Sequence, residues 1–211
     1  MLKNKVFFCL CLMLVFFVPS SFAETSVTFD EVCKYISAKP VTYGNFKQVK
    51  SLMLRGKSTS LNSEGKFIIC NKGIVWDTKK PISSVMVVSE TKMVQTLASG
   101  KTSVMEASSN AVYSGISATL SSLFKGDATK LKENFDVSFS VEKESWKMFL
   151  IPKDENLALA IKSVSLEGKA IEPFDLEKVL LTESSDQTIL YVFSDQKYTG
   201  ALTDEQEKYF K

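Results

Sequence analysis

Apolar and polar residues follow a helical spacing near the amino terminus and a strand spacing after it. Apolar side chains recur at helical intervals behind Thr28, and Glu31 completes a capping box, so the pattern predicts a helix over residues 29–39 that ends before Pro40. Short apolar runs bounded by turn residues then predict strands at 41–54, 57–62, 65–71, 73–77, 83–88 and 92–97.

A second helix is predicted over residues 111–125, where Val112, Ile116 and Leu120 form an apolar stripe and Gly126 ends it. Its opposite face carries serine and threonine, so it needs a surface to pack on. Further strands are predicted at 134–142, 145–152, 157–166, 169–173, 175–183 and 187–194, and a short terminal helix at 202–210. The order of elements indicates an α+β fold with a large antiparallel sheet.

The stretch "GKFIICNKGIVWDTKKP" (65–81) departs from the usual strand pattern. A half-buried strand alternates apolar and polar residues, but here apolar residues occupy both parities. Both faces of this hairpin are therefore expected to meet apolar partners.

Residues 1–23 have the pattern of a secretory signal peptide. A basic start precedes the apolar run "VFFCLCLMLVFFV", and the small residues Ser21 and Ala23 mark a cleavage point after Ala23. The run is shorter than the ~20 residues of a membrane-spanning helix. We therefore expect an exported, soluble mature chain of one domain, residues 24–211.

The charge of the chain argues against nucleic acid as a partner. Removal of Lys3 and Lys5 with the signal peptide leaves 24 basic and 24 acidic residues, and Arg55 is the only arginine. A chain without net charge has no electrostatic footprint for nucleic acid.

Two cysteines remain after cleavage. In an oxidising compartment Cys33 and Cys70 could form a disulfide, or each could be a small buried apolar residue. Their spacing does not indicate a metal site, and no cofactor is expected.

The sequence contains no histidine. This excludes a Ser-His-Asp or Cys-His catalytic arrangement and an imidazole metal site. A carboxylate pair remains chemically feasible, but the acidic residues gather in turns and in the terminal helix. The sequence therefore favours a protein that is not an enzyme.

Several motifs, in order, resemble the outer-membrane lipoprotein carrier family, the LolA-like proteins. These are "YGNFKQVK" (43–50), the hairpin 65–81, "WKMFLIPKD" (146–154) and "TILYVFSD" (188–195). The resemblance covers essentially the whole mature chain. It implies a curved, incompletely closed antiparallel half-barrel with helices over its concave face.

In that fold an apolar cavity lies between sheet and helices. By resemblance, its lining is expected to comprise Phe46, Phe67, Ile69, Trp76, Val88, Trp146 and Phe149. Val112, Ile116 and Leu120 would belong to a lid. Each lining residue is equally compatible with an ordinary core position, because core and cavity lining use the same residue types.

The chain departs from the family at one point. The family commonly has an arginine before the proline that ends the second strand, and this chain reads Ile69-Cys70-Asn71-Lys72 there. Arg55 does not match that position. The resemblance implies that the family's arginine acts as a latch by hydrogen-bonding the lid backbone in the closed form. The chain is thus expected to be a divergent member whose latch or cargo differs.

The resemblance implies a monomeric periplasmic carrier for lipoproteins or another acylated cargo, with an inner-membrane exporter and an outer-membrane acceptor as partners. Two alternatives stay open. One is a structural or interaction domain of the cell envelope with a packed interior and an exposed apolar patch. The other is a lipid-modifying enzyme.

Overall fold

The computed structural model describes residues 27–109, 122 and 125–211. The strands are β1 (Val41–Leu54), β2 (Lys57–Cys70), β3 (Gly73–Lys80), β4 (Ser84–Val88), β5 (Lys92–Leu97), β6 (Thr102–Glu106), β7 (Phe135–Glu142), β8 (Ser145–Pro152), β9 (Ile161–Lys169), β10 (Leu176–Glu183) and β11 (Thr188–Thr199). The α-helices are α1 (Phe29–Ser37), α2 (Ala128–Asn134), α3 (Glu155–Ala158) and α4 (Asp204–Glu207), with 3₁₀ turns at Ala107–Ser109 and Lys208–Phe210.

The strands form one curved antiparallel sheet in the order β6-β5-β4-β3-β2-β1-β11-β10-β9-β8-β7. Sequential strands pair as neighbours except β6 and β7, and β1 joins the two halves by pairing with β11. Within the described residues β6 and β7 are the two edges, so the sheet does not close into a barrel. The predicted α+β half-barrel is confirmed.

Local sequence explains the first helix. The Thr28 side chain accepts a hydrogen bond from the Glu31 backbone N–H at 3.3 Å, and the Glu31 carboxylate accepts one from the Thr28 N–H at 2.8 Å. Together these bonds satisfy two backbone donors at the helix start. The amphipathic helix then buries Phe29, Val32 and Cys33 against the sheet.

The core has two parts, one on each face of the sheet. An inner-face cluster lies under α1 and α2 and includes Phe67, Ile69 and Ile74. The outer-face cluster contains Val41, Ile68, Cys70, Val75 and Val87, and the carboxyl-terminal residues Leu202, Tyr209 and Phe210 pack on it.

This arrangement explains the apolar residues at both parities of the 65–81 hairpin. Phe67 and Ile69 face the helices, whereas Ile68 and Cys70 face the carboxyl-terminal segment. The prediction that both faces meet apolar partners is confirmed.

Some predicted boundaries are wrong. β2 is one strand from Lys57 to Cys70, because it pairs along its whole length with β1. The segment 157–166 begins in α3 and becomes a strand only at Ile161, and 169–173 is largely a loop. Helix α2 and strand β6 were not predicted.

A ladder irregularity at Gly65 lies where "NSEG" (62–65) predicted a turn between the strands 57–62 and 65–71. The β2–β3 register shifts between Glu64 and Gly65, and a Cβ on Gly65 would lie 2.1 Å from the Asp77 carbonyl oxygen. Only glycine allows the two backbones to approach this closely. The residue that suggested a turn therefore shapes the sheet instead.

Candidate functional site

Five aromatic side chains meet at the centre of the inner face. We call them the aromatic platform: Phe46, Phe67, Trp76, Tyr191 and Phe193. The strand register brings them together, because Phe46 is paired with Phe193 and Phe67 with Trp76. The Phe46 and Trp76 rings meet edge to face at 5.0 Å, and those of Phe67 and Phe193 at 4.8 Å.

The platform has a buried base and a more accessible surface. Its three phenylalanines are between 1% and 8% exposed. Trp76 and Tyr191 are only partly buried, and their rings stack with centroids 4.5 Å apart and planes 26° from parallel. Within the platform, this stacked pair is therefore the part that a ligand could contact.

An apolar row extends from the platform across the sheet. Ile69, Ile74, Val88 and Met93 are successive cross-strand partners on β2, β3, β4 and β5. All four belong to the inner-face cluster or pack against it. The platform and this row give the inner face a continuous hydrocarbon surface.

One polar pair borders the platform. The Gln48 side-chain amide donates a hydrogen bond to the Tyr191 hydroxyl at 3.1 Å. Burial raises the pKa of Tyr191 to about 12, against the smaller lowering effect of this hydrogen bond. The phenol is thus protonated at neutral pH.

A pocket opens at the end of the inner face, between α1, the start of β10 and β11. Its volume is about 70 Å³. Its apolar walls include Ile36, Phe67, Ile69, Leu176 and Phe193. Pockets that enclose drug-sized ligands measure ~300–1,000 Å³, so an acyl chain could use this one only if neighbouring elements moved.

Three polar side chains, Lys39, Asp175 and Tyr198, contact one another at the mouth of this pocket. The Lys39 ammonium lies 3.4 Å from the Asp175 carboxylate and 4.2 Å from the centre of the Tyr198 ring. The Tyr198 hydroxyl donates to the same carboxylate. Burial lowers the pKa of Lys39, which the Asp175 charge opposes, and burial raises the pKa of Tyr198.

The structure places six of the seven predicted lining residues on the inner face. Phe46, Phe67, Ile69, Val88 and Trp146 are buried in the inner-face cluster, and Trp76 packs against it. Their binding of a ligand remains a prediction. Tyr191 and Phe193 were missed, although the alternation in "TILYVFSD" places them on one face of a strand.

Phe149 is a wrong prediction. It is 42% exposed on the outer face, and Met148 and Leu150 on either side are buried. β8 alternates strictly, so Trp146 and Phe149, three positions apart, cannot share a face.

The predicted lid residues Val112, Ile116 and Leu120 lie outside the described residues.

The two thiols are free and buried, which matches the alternative that each is a small buried apolar residue and not the alternative of a disulfide. Cys33 belongs to the inner-face cluster and Cys70 to the outer-face cluster, with the sheet between them. Burial raises the pKa of both thiols, that of Cys33 to about 11.

The region of the missing latch arginine is a tight β2–β3 turn. Lys72 in this turn forms an ion pair with Glu207 of α4. Arg55 is exposed in the β1–β2 turn at a φ of +50°. Lys72, the cation in the β2–β3 turn, therefore contacts the carboxyl-terminal segment.

Neither a metal-ligand cluster nor a membrane-spanning helix occurs among the described residues. No group of three or more Cys, Asp or Glu side chains there is arranged to hold a metal ion. No described helix is long and apolar enough to cross a membrane.

Comparison with known families decides the class of the chain. Residues 41–209 match the model of a family described as "Outer membrane lipoprotein carrier protein LolA". The chain belongs to the LolA family. No curated protein matches its sequence.

Three solved structures are similar in fold. A LolA superfamily protein from Nitrosomonas europaea is 9% identical, with 85% of this chain and 97% of the other covered at a TM-score of 0.42. A putative outer membrane lipoprotein-sorting protein domain from Vibrio parahaemolyticus is 8% identical, with 86% and 97% covered at 0.42. A DUF1329 family protein from Desulfovibrio piger is 12% identical, with 86% and 95% covered at 0.38.

Proposed function

We propose that the protein is a periplasmic carrier that binds the acyl chains of lipoproteins, or of a related lipid, on its inner face and moves them between membranes. The stacked pair of Trp76 and Tyr191 is the observation that carries the proposal. These two rings are partly accessible, and they pack against the three buried phenylalanines of the platform. Membership of the LolA family supports the same class of cargo.

Energetics constrain how such a carrier works. Burial of one methylene contributes ~0.8 kcal/mol, so a 16-carbon chain offers a gross gain of about 12 kcal/mol. Several chains bound without a compensating cost would not be released. A conformational change on loading supplies that cost, because it subtracts from the binding free energy.

Helix α1 is suited to contribute to this cost. Its own residues Val32 and Cys33 are fully buried, and its Tyr35 ring stacks on Phe174 with centroids 3.9 Å apart. Displacing α1 would expose this apolar surface while cargo covers the platform. The exchange of one apolar contact for another would make binding reversible.

The proposal includes export and transfer partners. Residues 1–23 act as the signal peptide, and the mature chain begins at Glu24 as a periplasmic monomer. An inner-membrane exporter loads the cargo and an outer-membrane acceptor receives it. The mass of the mature protein tests the cleavage site directly.

The decisive experiment is mass spectrometry of organic extracts from protein purified out of its native periplasm. We expect acylated material at near-stoichiometric amounts, and its identity defines the cargo. A Trp76→Ser variant should lose most of it. A Phe149→Ser variant is the matched control, because this change removes an aromatic ring from the opposite face.

An extract without acylated material, combined with no binding of acylated molecules in solution, would overturn the proposal. It would favour the second candidate, an interaction domain of the cell envelope. The observation that favours this second candidate is on the outer face, where Phe149, Ile151 and Leu180 are between 36% and 44% exposed.

A further inference from the structure

Gln48 and Tyr191 are direct cross-strand partners on the inner face. The Gln48 amide nitrogen donates to the Tyr191 hydroxyl oxygen at 3.1 Å. In the part of the chain that the structure describes, this is the single hydrogen bond of either side chain. The Tyr191 hydroxyl proton therefore has no acceptor among these residues.

The direction of this bond determines what the pair offers a ligand. A phenol hydroxyl has one proton and accepting lone pairs. The Gln48 N–H occupies the accepting side, so the hydroxyl proton points away from Gln48. Because the phenol stays protonated at neutral pH, it presents a permanent donor at the border of the platform.

The surroundings favour a neutral acceptor over an anionic one. The nearest cation on the same face of β1 is Lys50, two residues beyond Gln48, and its ammonium already lies 3.2 Å from the Glu183 carboxylate. A phosphate or carboxylate group would find no unpaired charge there. A carbonyl oxygen needs one donor, which Tyr191 supplies.

The position of the pair matches the shape of an acylated molecule. The Tyr191 ring stacks on Trp76 within the platform, and its hydroxyl, bonded to Gln48, is a polar group next to this apolar surface. In acyl esters the first polar atom after the chain is the carbonyl oxygen. We propose that Tyr191, positioned by Gln48, binds the ester carbonyl of the cargo. This inference rests on the proposed carrier function and specifies which part of the cargo is recognised.

The test compares two ligands that differ in the carbonyl alone, a monopalmitoylglycerol and the hexadecyl glycerol ether of the same chain length. Dissociation constants are measured for the wild-type protein and for Tyr191→Phe. We expect Tyr191→Phe to weaken binding of the ester about three- to tenfold, the range of one neutral hydrogen bond. Binding of the ether should not change.

Two further variants complete the design. Tyr43→Phe removes a phenol hydroxyl from the opposite face of β1 and should bind both ligands like the wild type. Gln48→Leu frees the Tyr191 hydroxyl to rotate, so it should reduce the ester-to-ether preference while the ring remains in place. This variant also serves if Tyr191→Phe does not fold.

The outcomes separate the inference from the function. Equal weakening of both ligands by Tyr191→Phe, or no change in either, would overturn the carbonyl contact and leave the carrier function standing. An unchanged preference in Gln48→Leu would overturn the positioning role. If the wild type binds neither ligand, the inference fails, and the extracts from the native periplasm then decide whether the carrier function stands.

Discussion

The indole of Trp146 packs against the backbone of Gly168, its cross-strand partner on β9. A Cβ atom on Gly168 would lie 2.5 Å from indole atom Cζ2 and 2.2 Å from the Asp175 carbonyl oxygen. Side chains converge on the inner face of a curved sheet, and the fully buried Trp146 fits because its partner has no side chain.

We therefore expect Gly168→Ala to lower the free energy of unfolding by ~3 kcal/mol, the cost of overpacking a site with little room to relax. Denaturant titration measures this change. Gly200→Ala is the matched control, since a Cβ there meets no atom within 4 Å, and it should change stability by less than ~0.5 kcal/mol. Equal stability of the two variants would contradict the packing argument.

The two tryptophans offer a spectroscopic test of where cargo binds. Trp76 is partly exposed on the platform, whereas Trp146 is fully buried. We expect a brominated acyl chain to quench the fluorescence of Trp146→Phe, which retains Trp76, and to leave the fluorescence of Trp76→Phe largely unchanged.

Titration of each variant with the brominated ligand and with its unbrominated analogue separates quenching from conformational effects. Strong quenching of Trp76→Phe would show that the chain binds near Trp146 instead. That result would contradict the role assigned to the Trp76–Tyr191 pair.

Apolar periodicity predicted most of the strands, because it reports directly on burial. The family resemblance supplied six residues that lie on the inner face, namely Phe46, Phe67, Ile69, Trp76, Val88 and Trp146. The resemblance was wrong at Phe149. Strand alternation assigns Trp146 and Phe149 to opposite faces of the sheet. Tyr191 was also missed, and its role depends on a partner from β1 that is distant in sequence. Such pairings are set by register.

Helix α2 illustrates a second limit. It buries one side chain, Leu131, so its sequence carries almost no apolar stripe. Its start is defined by Asp127, whose carboxylate accepts a hydrogen bond from the Lys130 N–H at 3.0 Å. Tertiary packing rather than local periodicity stabilises so short a helix.

Tyr191 gives a prediction in alkaline solution. Burial raises its pKa from about 10 in the unfolded chain to about 12 in the fold. Its raised pKa stabilises the fold fully below pH ~10, and this contribution is lost as the pH rises towards 12. The unfolding free energy of the wild type should therefore fall more steeply over this range than that of Tyr191→Phe.

Absorbance of tyrosinate near 295 nm provides an independent measurement. The difference between the titration curves of the wild type and Tyr191→Phe should have its midpoint close to pH 12. A midpoint near 10 would mean that the hydroxyl is freely solvated, contrary to its position on the inner face.

The carboxyl-terminal segment covers Cys70, and this cover can be tested chemically. Tyr209 and Phe210 pack on the outer-face cluster, and the Tyr209 hydroxyl donates to the Asp77 carboxylate at 3.3 Å. The Cys70 side chain, which lies beneath this segment on the outer face, is 5% exposed. We expect the double variant Tyr209→Ala, Phe210→Ala to increase the rate of Cys70 modification by a thiol reagent at least tenfold, because local opening then costs less.

Cys33 is the internal control for this experiment. It belongs to α1 and is buried in the inner-face cluster, on the other side of the sheet, so the same double variant should leave its modification rate unchanged. Single-cysteine backgrounds, Cys33→Ala and Cys70→Ala, assign each rate to one thiol. If both rates rise together, the variant has destabilised the whole fold, and the carboxyl-terminal segment is then part of the global core rather than a local cover over the β2–β3 hairpin.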